Sequence, residues 1–178
     1  MIPILYDKTG NTKITNLTDC IQCIVTEERN GMFEAELVYS VHSSNSDKLI
    51  RGNIIVADAN DTLKGQKFRI YKISKPINGR IKILARHISF DMARDVVTGL
   101  VIDNQSCEYA LNKLFSTSQF SQHFIGHSDI VNSQSTVING TTHILKAIVG
   151  VEGSIIDTFG TSPEILRDNY DFYIYENR

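Results

Sequence analysis

The sequence has no tryptophan, only three prolines and three cysteines, no long apolar run and no large excess of either charge. Each shortage excludes something. An odd and small number of cysteines does not supply a disulfide framework, so free thiols and synthesis in a reducing cytoplasm are expected. No apolar run approaches the roughly 18–20 residues that a membrane helix needs. The start, Met1-Ile2-Pro3-Ile4-Leu5-Tyr6-Asp7-Lys8, has no basic stretch followed by an apolar one, and reads as a short first strand rather than a signal peptide. With 18 basic and 20 acidic side chains the net charge is -2, which excludes a globally basic nucleic-acid binder but not a local basic face. What is there is ordinary for a globular protein: 42% hydrophobic and 21% charged residues in a 178-residue chain, which disfavours disorder, collagen and coiled coil. One large domain or two small ones fits that length.

The first half is rich in strand patterns. Cys20–Thr26 and Met32–Val41 flank Glu27-Glu28-Arg29-Asn30-Gly31, and Asn-Gly is a strong hairpin signal because a type I′ turn needs positive φ at both central residues. A two-residue turn there pairs Ile24 with Leu37 and Thr26 with Ala35. It puts Ile24, Leu37 and Tyr39 on one face and Glu27, Glu34 and Glu36 on the other. A short strand, Ile54–Ala57, precedes a second long hairpin, Gln66–Lys75 and Arg80–His87 around Pro76-Ile77-Asn78-Gly79. Five or six strands within 90 residues predict a small antiparallel barrel.

From Ser89–Val97 onward the pattern changes. Ser106–Phe115 is a predicted helix, with Ser106 as N-cap and Ala110, Leu111 and Leu114 at helical spacing. Phe124-Ile125 reads as a brief strand, Thr141–Val149 and Ser154–Phe159 as short helices, the latter stopped by Gly160, and Glu164–Arg167 with Tyr170–Tyr175 as a final hairpin around Asp168-Asn169. The fold class is therefore α+β: a small antiparallel β-barrel over 1–97, then a smaller α+β domain over 98–178. Charge divides at the same place, with 14 basic and 11 acidic groups in 1–95 against four and nine in 96–178.

No constellation specifies catalysis. Cys20-x-x-Cys23 lacks the two further ligands of a zinc site, since only the isolated Cys107 remains, and it enters a strand rather than opening a helix as a redox pair does. Glu27 and Glu34 would be cross-strand neighbours near the separation of a retaining glycosidase pair, but the surroundings offer no aromatic sugar platform and a solvated acidic face is the simpler reading. His87, Ser89 and Asp91 alternate, yet on a strand they stand roughly 6.6–6.8 Å apart, too far for a triad. His42, His123, His127 and His143 form no metal pattern, and Gly150-Val151-Glu152-Gly153 is no phosphate loop. No metal, cofactor or catalytic residue is assigned. The sharpest electrostatic feature is Lys64–Arg86, with eight basic residues and no acidic one. Within it Lys67, Arg69, Lys75, Arg80, Lys82 and Arg86 are candidate partner contacts, against the simpler reading of a solvated face that protects a strand edge.

Several segments, in order, resemble the N-terminal region of phage tail-tip proteins, the prophage tail endopeptidase or minor structural tail protein family. They are Met1-Ile2-Pro3-Ile4-Leu5-Tyr6, Val25-Thr26-Glu27-Glu28-Arg29-Asn30-Gly31, Gln66-Lys67-Phe68-Arg69-Ile70-Tyr71 and His87-Ile88-Ser89-Phe90-Asp91. Ser128-Asp129-Ile130, Gly153-Ser154-Ile155-Ile156-Asp157-Thr158-Phe159-Gly160 and Arg167-Asp168-Asn169-Tyr170 continue the set. The resemblance implies a homotrimeric baseplate hub at the virion tail tip, with an α+β domain inserted between two tube-like barrels. The second barrel, and any lytic module of the family, would lie beyond Arg178. The implied partners are further copies of the chain, distal tail or tube proteins, and tip or fibre proteins. No membrane is implied, and no nucleic acid beyond DNA passing through the hub. Rival expectations are a peptidoglycan-directed hydrolase or endopeptidase, and a host-surface-binding module.

Overall fold

The computed structural model describes residues 1–28, 32–61, 63–119, 121, 124–128, 130–149 and 152–160, and the backbone of 164–167 and 170–173. The chain forms two compact units, Met1–Ile88 and Ser89–Arg178. The sequence-based boundary stood after residue 97. The stretch between these two positions is a 3₁₀ helix, Ile88–Arg94, and the start of a strand that pairs within the second unit.

The first unit is a single seven-stranded antiparallel sheet. Its strands are β1 (Ile4–Tyr6), β2 (Lys13–Asn16), β3 (Cys20–Glu27), β4 (Phe33–Ser40), β5 (Ile54–Ala57), β6 (Gln66–Ile73) and β7 (Arg80–His87). They are ordered β2-β1-β5-β6-β7-β4-β3. This ladder is open, with β2 and β3 as its edges, so the expected closed barrel is not formed. The sheet is nonetheless strongly rolled. Only Leu17, Thr18 and Asp19 join the two edge strands, and four chain steps span at most about 14 Å.

Alternation builds the core. On β4, Phe33, Ala35, Leu37 and Tyr39 are buried while Glu34, Glu36, Val38 and Ser40 are half-buried on the opposite face. Opposite them Ile81, Ile83 and Ala85 of β7, Phe68 and Ile70 of β6, Ile55 of β5 and Leu5 of β1 complete the inner face. β5 is buried on both faces. On its outer side Ile54 and Val56 pack with Ile88, Ile4 and Tyr6 into a second small core.

The register of the first hairpin differs by one residue from that expected. Ile24 lies opposite Glu36, Cys23 opposite Leu37, Thr26 opposite Glu34 and Glu27 opposite Phe33. The Glu28 amide donates to Met32 O at 2.7 Å, so three residues rather than two connect the strands. Because side chains alternate with period two, a one-residue slip exchanges the faces of β3. Ile24 is therefore exposed on the wet face, while Cys23 and Val25 turn inward. Asn30-Gly31 itself lies outside the described residues. The second hairpin turns within the expected Pro76-Ile77-Asn78-Gly79 connection, and it is here that an Asn-Gly pair takes positive φ: Asn78 and Gly79 have φ of 51° and 71°, and Ile77 and Arg80 exchange backbone hydrogen bonds of 2.9 and 3.0 Å.

The second unit is assembled from shorter pieces: β8 (Val96–Gln105), α1 (Cys107–Ser116), β9 (Phe124–His127), β10 (Gln134–His143), α2 (Ile144–Ile148), α3 (Ile155–Phe159), β11 (Glu164–Arg167) and β12 (Tyr170–Tyr173). β8 and β10 form a two-stranded ribbon, and β11 lies between β9 and β12. The ribbon was not anticipated, and β10 replaces the start of the helix expected over Thr141–Val149. Thr141 and Thr142 pair with Thr98 and Val97, as suits β-branched residues, and helix begins only at Ile144. The helix over Ser106–Phe115 forms nearly as expected. Ser106 Oγ accepts from the Tyr109 amide, and Cys107, Ala110, Leu111, Leu114 and Phe115 are buried. At α3, Ser154 Oγ accepts from the Asp157 amide and Gly160 closes the helix at φ 72°. The final hairpin pairs as expected, Arg167 opposite Tyr170, with its Asp168-Asn169 turn outside the described residues.

Candidate interaction surface

The six candidate contact residues all lie on β6, β7 and the turn between them, but the fold sorts them into different environments. Lys67 is buried, 5% exposed, beside Val56 of β5. Arg69 is tied to backbone: its Nη1 donates to Lys8 O at 2.8 Å and to Gly52 O at 2.9 Å, clamping the loops that flank β1 and β5. Glu34 lies opposite Arg86 across the β4–β7 ladder. Arg86 Nε donates to Glu34 Oε1 at 2.8 Å, and its guanidinium stacks 4.6 Å above the Tyr71 ring. Tyr71 donates its hydroxyl proton to Glu34 Oε2 at 3.0 Å. Burial, and then the neighbouring Glu34 carboxylate, push the Tyr71 phenol up, while the hydrogen bond to Glu34 raises Arg86 further. Lys82 Nζ sits 2.7 Å from Glu36 Oε1. Lys67 is thus buried, Arg69 is held by loop carbonyls, and Lys82 and Arg86 are paired with acids that the neighbouring strand supplies. Lys75 and Arg80, at the far end of the hairpin, are exposed and make no ion pair among the described residues.

Other sequence candidates are separated or occupied. Glu27 and Glu34 stand on opposite faces, because Glu27 pairs with Phe33 and Glu34 with Thr26; no carboxylate pair exists there. Glu27 Oε2 instead accepts from Asn60 Nδ2 at 3.2 Å. A β-bulge between Cys20 and Gln22 places Cys20 opposite Tyr39 and Cys23 opposite Leu37, so both thiols turn to the core side. Burial pushes both up, Cys23 to about 11 with the adjacent Cys20 adding to the effect, which makes them poor nucleophiles near neutral pH. Cys107 is buried on α1 and, like the other two, is not in a disulfide.

His87, Ser89 and Asp91 do not share a strand face: β7 ends at His87 and the 3₁₀ helix takes the next residues. The His87 ring is buried, stacked on Phe33 at 4.3 Å and edge-on to Phe68 at 5.5 Å, with Nε2 3.0 Å from Gln66 Oε1. It is a core residue. His127 Nδ1 lies 3.1 Å from Glu108 Oε2 at the surface, and His123 and Gly150-Val151 lie outside the described residues. Among the described residues no three His, Cys, Asp or Glu side chains gather as cation ligands. No described helix is long and apolar enough to cross a membrane.

Sequence reasoning missed two polar centres. Asp95 is 2% exposed, and its carboxylate accepts from the amides of Val96, Gln119 and Ser121 at 2.9, 3.2 and 2.7 Å, while its carbonyl accepts from Ile144 N. One residue, through its carboxylate and its carbonyl, thereby joins the start of β8, the segment after α1 and the start of α2. Asn112 makes a two-way contact with Gly126, donating to its carbonyl at 2.8 Å and accepting from its amide at 3.0 Å. Gly126 is required there because a Cβ would collide with Leu111. Neither residue belongs to a motif, and the segments they join are remote in sequence.

No protein-family model matches the chain. No curated protein matches it either. Among solved structures it is similar to the prophage tail protein gp18 from Listeria monocytogenes, with a TM-score of 0.68 at 18% identity. The superposition covers 97% of this chain and 50% of that one, so the chain spans about half the length of the Listeria protein. What the two share at this identity is the fold, carried through both units of the chain.

Proposed function

We propose that this chain is a structural component of a phage tail, and within the tail part of the tip or baseplate hub, working by assembly rather than by catalysis. The observation that carries the reading is the likeness of fold over 97% of the chain to a protein described as a prophage tail protein. The ordered sequence segments quoted above point the same way. So does the architecture of the first unit. Its open sheet ends at β3, an eight-residue edge strand with no charge from Cys20 to Thr26 and with exposed Ile21 and Ile24. Such an edge offers unpaired backbone donors and acceptors to another strand. In this reading the partners are further copies of the chain in a homotrimer, a distal tail or tube protein on one side and tip or fibre proteins on the other.

The test is an in-frame deletion of the gene in an inducible lysogen, with tails purified and viewed by electron microscopy. Tails lacking the tip, restored by the intact gene, are expected, together with the protein in purified wild-type tails. Complete infectious tails after deletion, or absence of the protein from them, would overturn the tail reading. Digestion of peptidoglycan by the purified chain would overturn its non-catalytic part.

A further inference from the structure

We propose that the tip of the β6–β7 hairpin is a docking plug: Ile77 enters an apolar socket on a different tail protein, and Lys75 and Arg80 pair with acidic residues around its rim. The proposal rests on the tail-component reading and adds to it a surface and a partner chemistry.

Three observations carry it. First, Ile77 is 71% exposed beside the turn of a hairpin in which the aliphatics Ile81 and Ile83 are buried. Its neighbours Pro76 and Asn78 are exposed as well. Second, the tip is rigid. The Asn78-Gly79 turn has both residues at positive φ, and Ile77 and Arg80 close it with two hydrogen bonds. Gly79 O accepts from the Val41 amide at 3.0 Å. Below the turn, the Ser74 amide donates to Lys82 O and the Lys82 amide donates to Ser74 Oγ, at 2.8 and 2.9 Å. A side chain displayed on a preformed turn loses little freedom on binding, which is what makes a buried anchor effective.

Third, the charges are sorted. Glu34 and Glu36 neutralise Arg86 and Lys82 along the stem, and among the described residues no acid pairs with Lys75 or Arg80 beside Ile77. An apolar point flanked by two uncompensated cations is complementary to an apolar pocket with an acidic rim. A protein socket fits this better than the alternatives. One isoleucine supplies too little apolar area to hold a membrane, and two cations neutralise too few phosphates to hold nucleic acid.

The test uses the full chain in assembled tails, with the photo-cross-linker p-benzoylphenylalanine placed at position 77, at exposed position 76 in case the bulky group blocks entry at 77, and at exposed stem position 72 as control. Cross-linked peptides are identified by mass spectrometry. Positions 76 or 77, but not 72, are expected to label a peptide of another tail protein that combines acidic and apolar residues. The Lys75→Glu/Arg80→Glu pair should reduce that labelling, and retention of the chain in tails washed at high salt, by about tenfold. Labelling at 76 and 77 no stronger than at 72, labelling of a second copy of this chain, or labelling of lipid or DNA would overturn the plug. Absence of the chain from wild-type tails would instead overturn the functional reading on which it rests.

Discussion

The two units solve the problem of backbone satisfaction in opposite ways. Met1–Ile88, with 13 basic and nine acidic side chains (net +4), closes nearly all its strand backbone in one ladder and buries a continuous alternating face. Ser89–Arg178, with five basic and 11 acidic side chains (net -6), is built of a ribbon, a small sheet and helices of five to ten residues, none long enough to be stable alone. There the ends of elements are held by individual polar side chains: Ser106, Ser154, Asn112 and Asp95. The difference teaches where each unit is vulnerable. The first depends on packed apolar volume, the second on a few hydrogen-bonding side chains that the sequence does not advertise.

The largest expected effect tests the first half of that contrast. Phe68 is fully buried and lies edge-on to Phe33 at 5.3 Å. Phe68→Ala should cost about 3–5 kcal/mol in urea unfolding. A loss below about 1 kcal/mol would mean that this face is not the principal core of the unit. Next comes Asp95→Ala, which removes an acceptor from three buried or half-buried amides, of which only Ser121 keeps another in Ser118 Oγ, and should cost about 3 kcal/mol. Amide exchange should locate the loss at Val96, Gln119 and Ser121; protection unchanged there would break the comparison.

Smaller effects sharpen it. Ser106→Ala and Ser154→Ala should each cost about 1 kcal/mol, because each removes the acceptor for one otherwise unpaired helix amide. Thermal melts of the single and double variants would show whether the two losses add. The smallest effect at neutral pH belongs to Cys23. Its folded value of about 11 lies above the ordinary thiol value of 9.0, so its contribution is complete below pH 9 and is lost as the pH rises toward 11. Cys23→Ala should leave stability at pH 7 nearly unchanged and flatten the fall between pH 9 and 11, measured by denaturation across that range.

Much of the fold was legible where local chemistry and tertiary packing agree. The alternation of β4, the helix opened by Ser106 and the helix closed by Gly160 all show their signals within a few residues. Legibility failed where a choice depended on a distant segment. The slip at the first hairpin changed which face Ile24 occupies, and short-range signals did not distinguish a two-residue from a three-residue connection. The β8–β10 ribbon escaped notice because Gly99, Asn104 and Gly140, all at positive φ, and its bulges interrupt the period-two pattern. The candidate surface was legible as a run of cations and no further. Which of them remain available was decided by Glu34 and Glu36, some fifty residues away in sequence, arriving on the neighbouring strand.

By itself the sequence determined a chain with an early strand-rich, basic half and a later mixed, acidic half, with two well-capped helices and a hairpin connection over residues 76–79. Those features rest on propensities and charges that act over a few residues. The tertiary structure alone decided that the sheet stays open, that Glu27 and Glu34 face apart, that Asp95 is a buried junction, and that Lys75 and Arg80 remain exposed beside Ile77. Each of these follows from strand order and register, which are set by burying the whole apolar face at once.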